Sequence, residues 1–245
     1  MEISIPAEKI FEFNGWPITN TLTASVLTVF IWLVLILFLE RKGFKKYPRG
    51  LQNLVELAVE KLYGLFTSVI PSKKISRLAF PLVAAFFIFI MTANWLGILP
   101  GFGSIGIWAS HNGEKLFVPL FRTANSDLNL TLALAMSSVL ATQIFGILAL
   151  GLKNYSHKFF NFKGPIEFFV GILELVSEAA KVISFSFRLF GNIFAGEVLL
   201  IIVAFLAPLI APLPFYFLEL FVGFIQALVF TMLTIVFIRM ATAHH

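Results

Sequence analysis

The sequence predicts an all-α integral membrane protein. It has five membrane-spanning helices plus one interfacial amphipathic helix, and the last two spans form a steeply tilted hairpin. Three observations lead there. The chain is 59% hydrophobic and 13% charged, with a mean hydropathy of +0.93. Globular domains carry roughly 25% charged residues, so a water-exposed surface cannot be built from this few, and disorder is excluded for the same reason. Long runs contain no charge at all, and the basic residues gather on one side once those runs are taken as crossings. There is no Cys among the 245 residues, and two of the four His are the terminal His244 and His245. No disulfide, metal site or cofactor is therefore expected.

Residues 1–20 carry Glu2, Glu8 and Glu12 against Lys9. A secretory signal starts positive, so this is an external N-terminal stretch. Thr21–Leu39 is uncharged and long enough for a first span, stopped by Glu40, Arg41 and Lys42. In 51–70, Leu51, Leu54, Val55, Leu62, Leu65, Phe66 and Val69 share one helical face while Gln52, Asn53, Glu56, Glu60 and Lys61 lie off it. That is an amphipathic helix for the interface or a partner. Pro71, Lys73, Lys74 and Arg77 separate it from a span over 79–99. A Gly-rich loop follows, then a span over 128–152 between Asp127 and Lys153. Pro165 suits a helix start, opening a long span over 165–207. Pro208, Pro212 and Pro214 break the chain before the last span, 215–238, closed by Arg239. The whole chain is one membrane domain.

Of the 18 Lys and Arg residues, Lys181 and Arg188 fall inside a span and Lys9, Lys115 and Arg122 on one side. All the others, from Arg41 to Arg239 and including Lys158 and Lys163, fall on the opposite side. The positive-inside rule places the N-terminus outside and the C-terminus in the cytoplasm. Splitting 165–207 into two spans would destroy this asymmetry.

As one helix, 165–207 would be roughly 64 Å long and would need a tilt of roughly 60° to fit a hydrocarbon core of about 30 Å. It either lies steeply or is broken. Glu167, Glu174, Glu178, Lys181, Arg188 and Asn192 lie within about 40° of one line along it, and Glu197 lies on another face. In the last span Glu219 and Gln226 share a face, with Gly223 between them. Glu174 and Glu178 belong to the inner half of the membrane, and Glu197, Glu219 and Gln226 to the outer half. Ionisable groups inside a membrane are costly and usually functional. Glu174, Glu178 and Lys181 can also be read as an ion-pair cluster that neutralises itself. Arg188 differs, because its nearest acid on the stripe is distant and it cannot deprotonate. It is a fixed cation that needs a carboxylate opposite it. Acids in both halves with a permanent cation between them read as a proton path interrupted by an electrostatic barrier.

Ser186-Phe187-Arg188-Leu189-Phe190-Gly191-Asn192-Ile193-Phe194-Ala195-Gly196-Glu197 closely resembles the signature of subunit a of the rotary F-type ATP synthases. The run from Gly223-Phe224-Ile225-Gln226 to Thr234 resembles that family's last-helix motif, and Asn94, Leu99-Pro100 and Asp127-Leu128-Asn129 match weaker features. The likeness covers nearly the whole chain. It implies a stator against which a ring of c subunits rotates, held with b-type peripheral stalk subunits in a bacterial cell membrane. Arg188 matches the arginine that faces each ring carboxylate. Glu197, Glu219, Asn192 and Gln226 match the outer half-channel, and Glu174 and Ser184 the inner one; Glu178 joins them because it shares the stripe. Some family members have His at one of the positions of Glu197 and Glu219, so the outer proton donor stays open between these two. No catalytic site of its own is implied.

Gly101-Phe102-Gly103-Ser104-Ile105-Gly106 spells GxGxxG but follows a membrane span, so it reads as a loop and not a dinucleotide fingerprint. His111 and His157 read as solvated loop residues. Topology accounts for the basic clusters better than nucleic acid does. The competing function is a secondary transporter with a midplane charged site, which would usually show internal repeats; none is seen. A membrane-embedded enzyme would need its acids at one depth, and here they are spread.

Overall fold

Asn14 and Gly15 take positive φ, 50° and 83°, the backbone that a tight hairpin turn demands. Around them β1 (Lys9–Phe13) pairs antiparallel with β2 (Trp16–Thr19). The computed structural model describes residues 6–70, 72–99, 101–111, 114–159, 164–208 and 210–243. Glu2, Pro71, Pro100, Asn112, Gly113, Lys163, His244 and His245 lie outside the described residues, as do the side chains of His111 and Lys115.

The Thr19 hydroxyl accepts the Leu22 N–H at 3.3 Å and caps α1 (Asn20–Lys42), which ends at Gly43 with φ 72°. Asn20, Thr21, Ala24, Ser25 and Thr28 of α1 are buried, while Val26, Val29, Phe30, Leu33 and Leu37 face outward. Small and polar residues inside with large apolar ones outside is the pattern of a helix in lipid. The amphipathic α2 (Leu51–Val69) docks by its C-terminal end only. Phe66 and Ile70 are buried against Ala79, Val83, Ile235 and Ile238, while Leu51, Leu54 and Leu57 stay exposed.

The next helix, α3 (Lys73–Ile98), begins six residues before the expected span and takes in Lys73, Lys74 and Arg77. A charge-free window finds only the hydrocarbon part of a helix, and long basic side chains reach past it to the headgroup layer. The expected Gly-rich loop holds a second antiparallel hairpin, β3 (Gly106–His111) with β4 (Glu114–Pro119). The two hairpins sit at the same end of the bundle. The Thr23 hydroxyl donates to the Leu120 carbonyl, and Arg122 Nη1 donates to the Pro6 carbonyl at 3.3 Å.

Asp127 both caps α4 (Leu128–Leu150) and ties it to α1. It accepts the Asn129 N–H at 2.9 Å and the Thr21 hydroxyl at 2.7 Å. A short α5 (Leu152–Ser156) folds back, and the Tyr155 hydroxyl donates to Gln143 Oε1 at 2.5 Å. Gly146 makes room for the Tyr155 ring, which any Cβ there would strike. Then α6 (Pro165–Leu206) runs unbroken for 42 residues, which excludes the broken helix. The final α7 (Pro212–Thr242) starts three residues before the expected span and ends four after it. Pro212 and Pro214 stand in its first turn, where no N–H is needed, so they open the helix instead of excluding it. The described residues thus hold 5 helices long and apolar enough to cross a membrane, the five expected.

The core joins α3, α4, α6 and α7 through Phe86, Phe87, Ile90, Ala135, Phe185, Leu189, Ile193, Ala227 and Phe230. Hydrogen bonds fix its register. Thr131 and Ser186 hydroxyls meet at 3.0 Å, and Ser138 and Thr234 hydroxyls at 2.8 Å. Asn94 Nδ2 donates to the Gly223 carbonyl at 3.0 Å and Trp95 Nε1 to that of Leu220 at 3.1 Å. Gly223 lets α3 come this close, since a Cβ there would lie 3.0 Å from Asn94 Cβ.

Two stability predictions come from these contacts. Asn94→Ala removes the buried donor to Gly223 and the acceptor for Asn125, at a cost of about 1–3 kcal/mol. The check is a lower heat-inactivation midpoint of the detergent-extracted protein, and an unchanged midpoint would mean packing alone holds α3 to α7. Burial first, then the carboxylates of Glu178 and Glu174, push the Tyr155 phenol from 10.0 up to about 12. The folded chain keeps a proton that the unfolded chain loses. The resulting stability is whole below pH 10 and is lost as pH rises through about 12. Tyr155→Phe should flatten this alkaline loss in the same assay.

Candidate functional site

The polar residues of α6 separate into three levels. The face Phe185, Ser186, Leu189, Ile193 and Gly196 is buried against the other helices, so residues between these positions must look away from the core.

The first level lies toward the N-terminus of α6. Lys158, from the turn after α5, reaches Glu174 at 2.6 Å and Glu178 at 3.7 Å. Lys181 holds Glu178 at 2.7 Å from one turn along. These four side chains form one ion-paired cluster, which Lys158 joins from outside α6. Charge balance is two against two, but the bonding is incomplete. Glu178 Oε2 and Gln143 Nε2 are buried without a hydrogen-bond partner among the described residues. Buried polar atoms normally have one, often water. Glu167, on the same stripe, is turned instead to the start of its own helix beside Gly164, where the helix dipole favours an acid.

The middle level is Arg188. It is exposed on the outer face of α6, between exposed Ile183, Phe187 and Asn192. Its Nη2 donates to Ser184 Oγ at 3.4 Å, and no carboxylate lies within ion-pairing distance among the described residues. Gln226 of α7 lines the same shallow depression, together with Phe185, Leu189 and Phe230. The α6–α7 packing thus brings Gln226 to Arg188, from helices separated by the proline-rich turn.

The third level joins Glu197 to Glu219. Arg122, with its side chain nearly buried, sets Nε 3.4 Å from the Glu197 carboxylate and lies over the Phe194 ring. Glu219 is 7% exposed, and its carboxyl rests against Gly196, where any Cβ would collide with it. Glycine at 196 is thus what admits an acid from α7 beside Glu197. Glu219 has no cation within ion-pairing distance among the described residues. Behind this level Asn125 Nδ2 donates to Asn94 Oδ1 at 2.7 Å, and Asn125 Oδ1 is buried without a partner among the described residues. Arg122 and Asn125 carry no signal in sequence beyond one basic and one polar loop residue. Only their return to α6 and α3 reveals them.

The family model described as ATP synthase A chain matches residues 22–239. The chain is 34% identical over 235 residues to ATP synthase subunit a of Moorella thermoacetica, covering 94% of each. It is 35% identical over 224 residues to the subunit a of Syntrophobacter fumaroxidans, covering 88% of this chain and 83% of that one. A third relative, the subunit a of Campylobacter jejuni, is 35% identical over 212 residues, covering 85% and 84%. Five long apolar helices, a surface arginine between two sets of acids, and relatedness along nearly the full length lead to one conclusion: the chain belongs to the ATP synthase A chain family, as a multi-pass component of the ATP synthase membrane sector.

Proposed function

We propose that this chain is the proton-translocating stator of its ATP synthase. It provides two offset half-channels that load and unload the carboxylates of a rotating c-ring, with Arg188 fixed between them. The b-type stalk subunits hold it in place, and its N-terminus lies outside and its C-terminus in the cytoplasm. The observation that carries this reading is Arg188, a permanent cation on an outward apolar face with no acid among the described residues to meet. An exposed arginine among lipid tails is costly, so a carboxylate from another subunit is its natural partner.

Each group then has a role. A protonated ring carboxyl is neutral and passes through lipid. Beside Arg188 its ionised form is favoured, and the proton leaves by the inner side past Glu174, Glu178 and Ser184. The carboxylate is reloaded from the outer side through Glu197, Glu219, Asn192 and Gln226. Arg188 cannot itself carry a proton and opposes a direct leak between the two paths. A potential of 100 mV supplies roughly 2.3 kcal/mol per proton, so several must be coupled to each ATP. The unbroken α6 suits a ring. At about 1.5 Å per residue it is roughly twice as long as the hydrocarbon core is thick. Its two ends are apolar and exposed, at Ile166, Phe169, Phe205 and Leu206. A steep course keeps both ends in apolar surroundings and lays a long face along a curved partner.

The geometry also favours one outer donor. Glu197 is tied to Arg122, whereas Glu219 has no cation within ion-pairing distance among the described residues. Glu219 is therefore the final outer donor.

Inverted membrane vesicles carrying the intact complex test this reading by ATP-driven acidification. Arg188→Ala should abolish pumping while assembly is preserved; unchanged pumping would make Arg188 a structural cation. In the same vesicles Glu219→Gln should lower the rate at least about tenfold more than Glu197→Gln, the scale on which losing a proton-transfer group acts. Equal losses would mean the two acids act as one unit.

A further inference from the structure

The N-terminal hairpin brings an acid to the outer level that neither the motifs nor the helix faces indicate. Glu8, one residue before β1, is clamped to the start of α1. Its N–H donates to Asn20 Oδ1 at 3.2 Å, its carboxyl accepts Asn20 Nδ2 at 3.3 Å, and its carbonyl accepts the Asn20 N–H at 3.1 Å. Asn20 is fully buried, so this double-sided grip has little freedom. Two residues before Glu8, the Pro6 carbonyl accepts from Arg122 Nη1, and the other side of the same guanidinium faces Glu197. Arg122 thus lies between the N-terminal segment and α6.

We propose that Glu8 is a further proton-collecting residue at the mouth of the outer path, passing protons toward Glu197 and Glu219 beside the shared cation Arg122. This rests on the proton-path reading given above. The chemistry follows from a count of charges. Glu8 and Glu197 both feel Arg122, one from the residue before β1 and the other from α6, and Glu219 of α7 adds a third carboxyl beyond Gly196. One guanidinium compensates one carboxylate. The remaining acids repel each other until a proton binds, and a proton bound to one lowers the cost of ionising the next. Glu8 is half-buried and is the outermost of the three along the chain of contacts. Burial raises its proton affinity, Arg122 lowers it, and Glu197 raises it again. Lys9 and Glu12 of β1 pair with each other in solvent and take no part.

The test is ATP synthesis by the complete complex in membrane vesicles, with the pH of the outer side varied and rates normalised to assembled complex. Glu8→Gln keeps the size and hydrogen bonding of the side chain but cannot collect a proton. Its rate should match the parent when the outer side is acidic. It should fall away at an outer pH about one unit lower than the parent, the scale on which one neighbouring charge acts, while Glu8→Asp should keep the parent profile. Superimposed Gln and parent profiles, or a uniform loss at every pH, would overturn the inference. Should Glu8→Gln impair assembly, Glu8→Asp is compared with Glu8→His, whose unperturbed groups differ by about two to three pH units. Different profiles support proton collection and identical ones overturn it. Arg188→Ala separates the two claims. If it retains coupled synthesis, the proton-path reading fails; if it abolishes synthesis while Glu8→Gln leaves the profile unmoved, only the role of Glu8 fails.

Discussion

A guanidinium keeps its charge at any pH a cell reaches, and the placement of Arg188 follows from that constraint. On α6 it sits on the side opposite the core, out of ion-pairing reach of the described carboxylates. Buried among Phe185, Leu189 and Phe230 it would need a carboxylate from its own chain, and the described acids near α6 are all elsewhere. The packing face of α6 therefore has to be apolar and small at this level. Ser186, Leu189 and Ile193 meet that need, with Ser186 bonded to Thr131 so that no hydroxyl is stranded.

Other charges near α6 are paired on either side of Arg188. Toward the start of α6 two lysines, one local and one from the turn after α5, answer two glutamates. Toward its end Arg122 answers Glu197. Pairing keeps the energetic cost of these groups tolerable in a low-dielectric region. It is also incomplete at both levels, where buried amide or carboxyl atoms of Gln143, Glu178 and Asn125 have no protein partner among the described residues. Such atoms are where ordered water settles. The acids at both levels are thus stabilised by pairing and lie beside places where water can bind.

Small residues and side-chain amides hold the acids in register. Gly196 and Gly223 let α7 lie against α6 and α3, and Asn94 and Trp95 bind carbonyls three residues apart on α7, on either side of Val222. Between lipid-facing helices there is no hydrophobic driving force to rely on, so close backbone approach and interhelical hydrogen bonds do the work. The same contacts set the height of Glu219 and Gln226 relative to Arg188.

The sequence by itself determined the number and order of the spans and the amphipathic α2. It also marked the polar stripe on α6 and the acids at the end of α6 and on α7. Each of these depends on local composition and on helical period, which a single segment expresses without its neighbours. α3 and α7 extend beyond the expected spans because basic side chains and first-turn prolines are compatible with a helix that a charge-free window cuts short. The hairpin at Asn14-Gly15 carried a turn signal that the acidic character of its surroundings obscured. Only the tertiary structure decided which acids are paired. Lys158 with Glu174, Arg122 with Glu197 and Glu8 with Asn20 are contacts between separate elements. The energy of such a pair depends on distance and burial, which no spacing within one helix encodes.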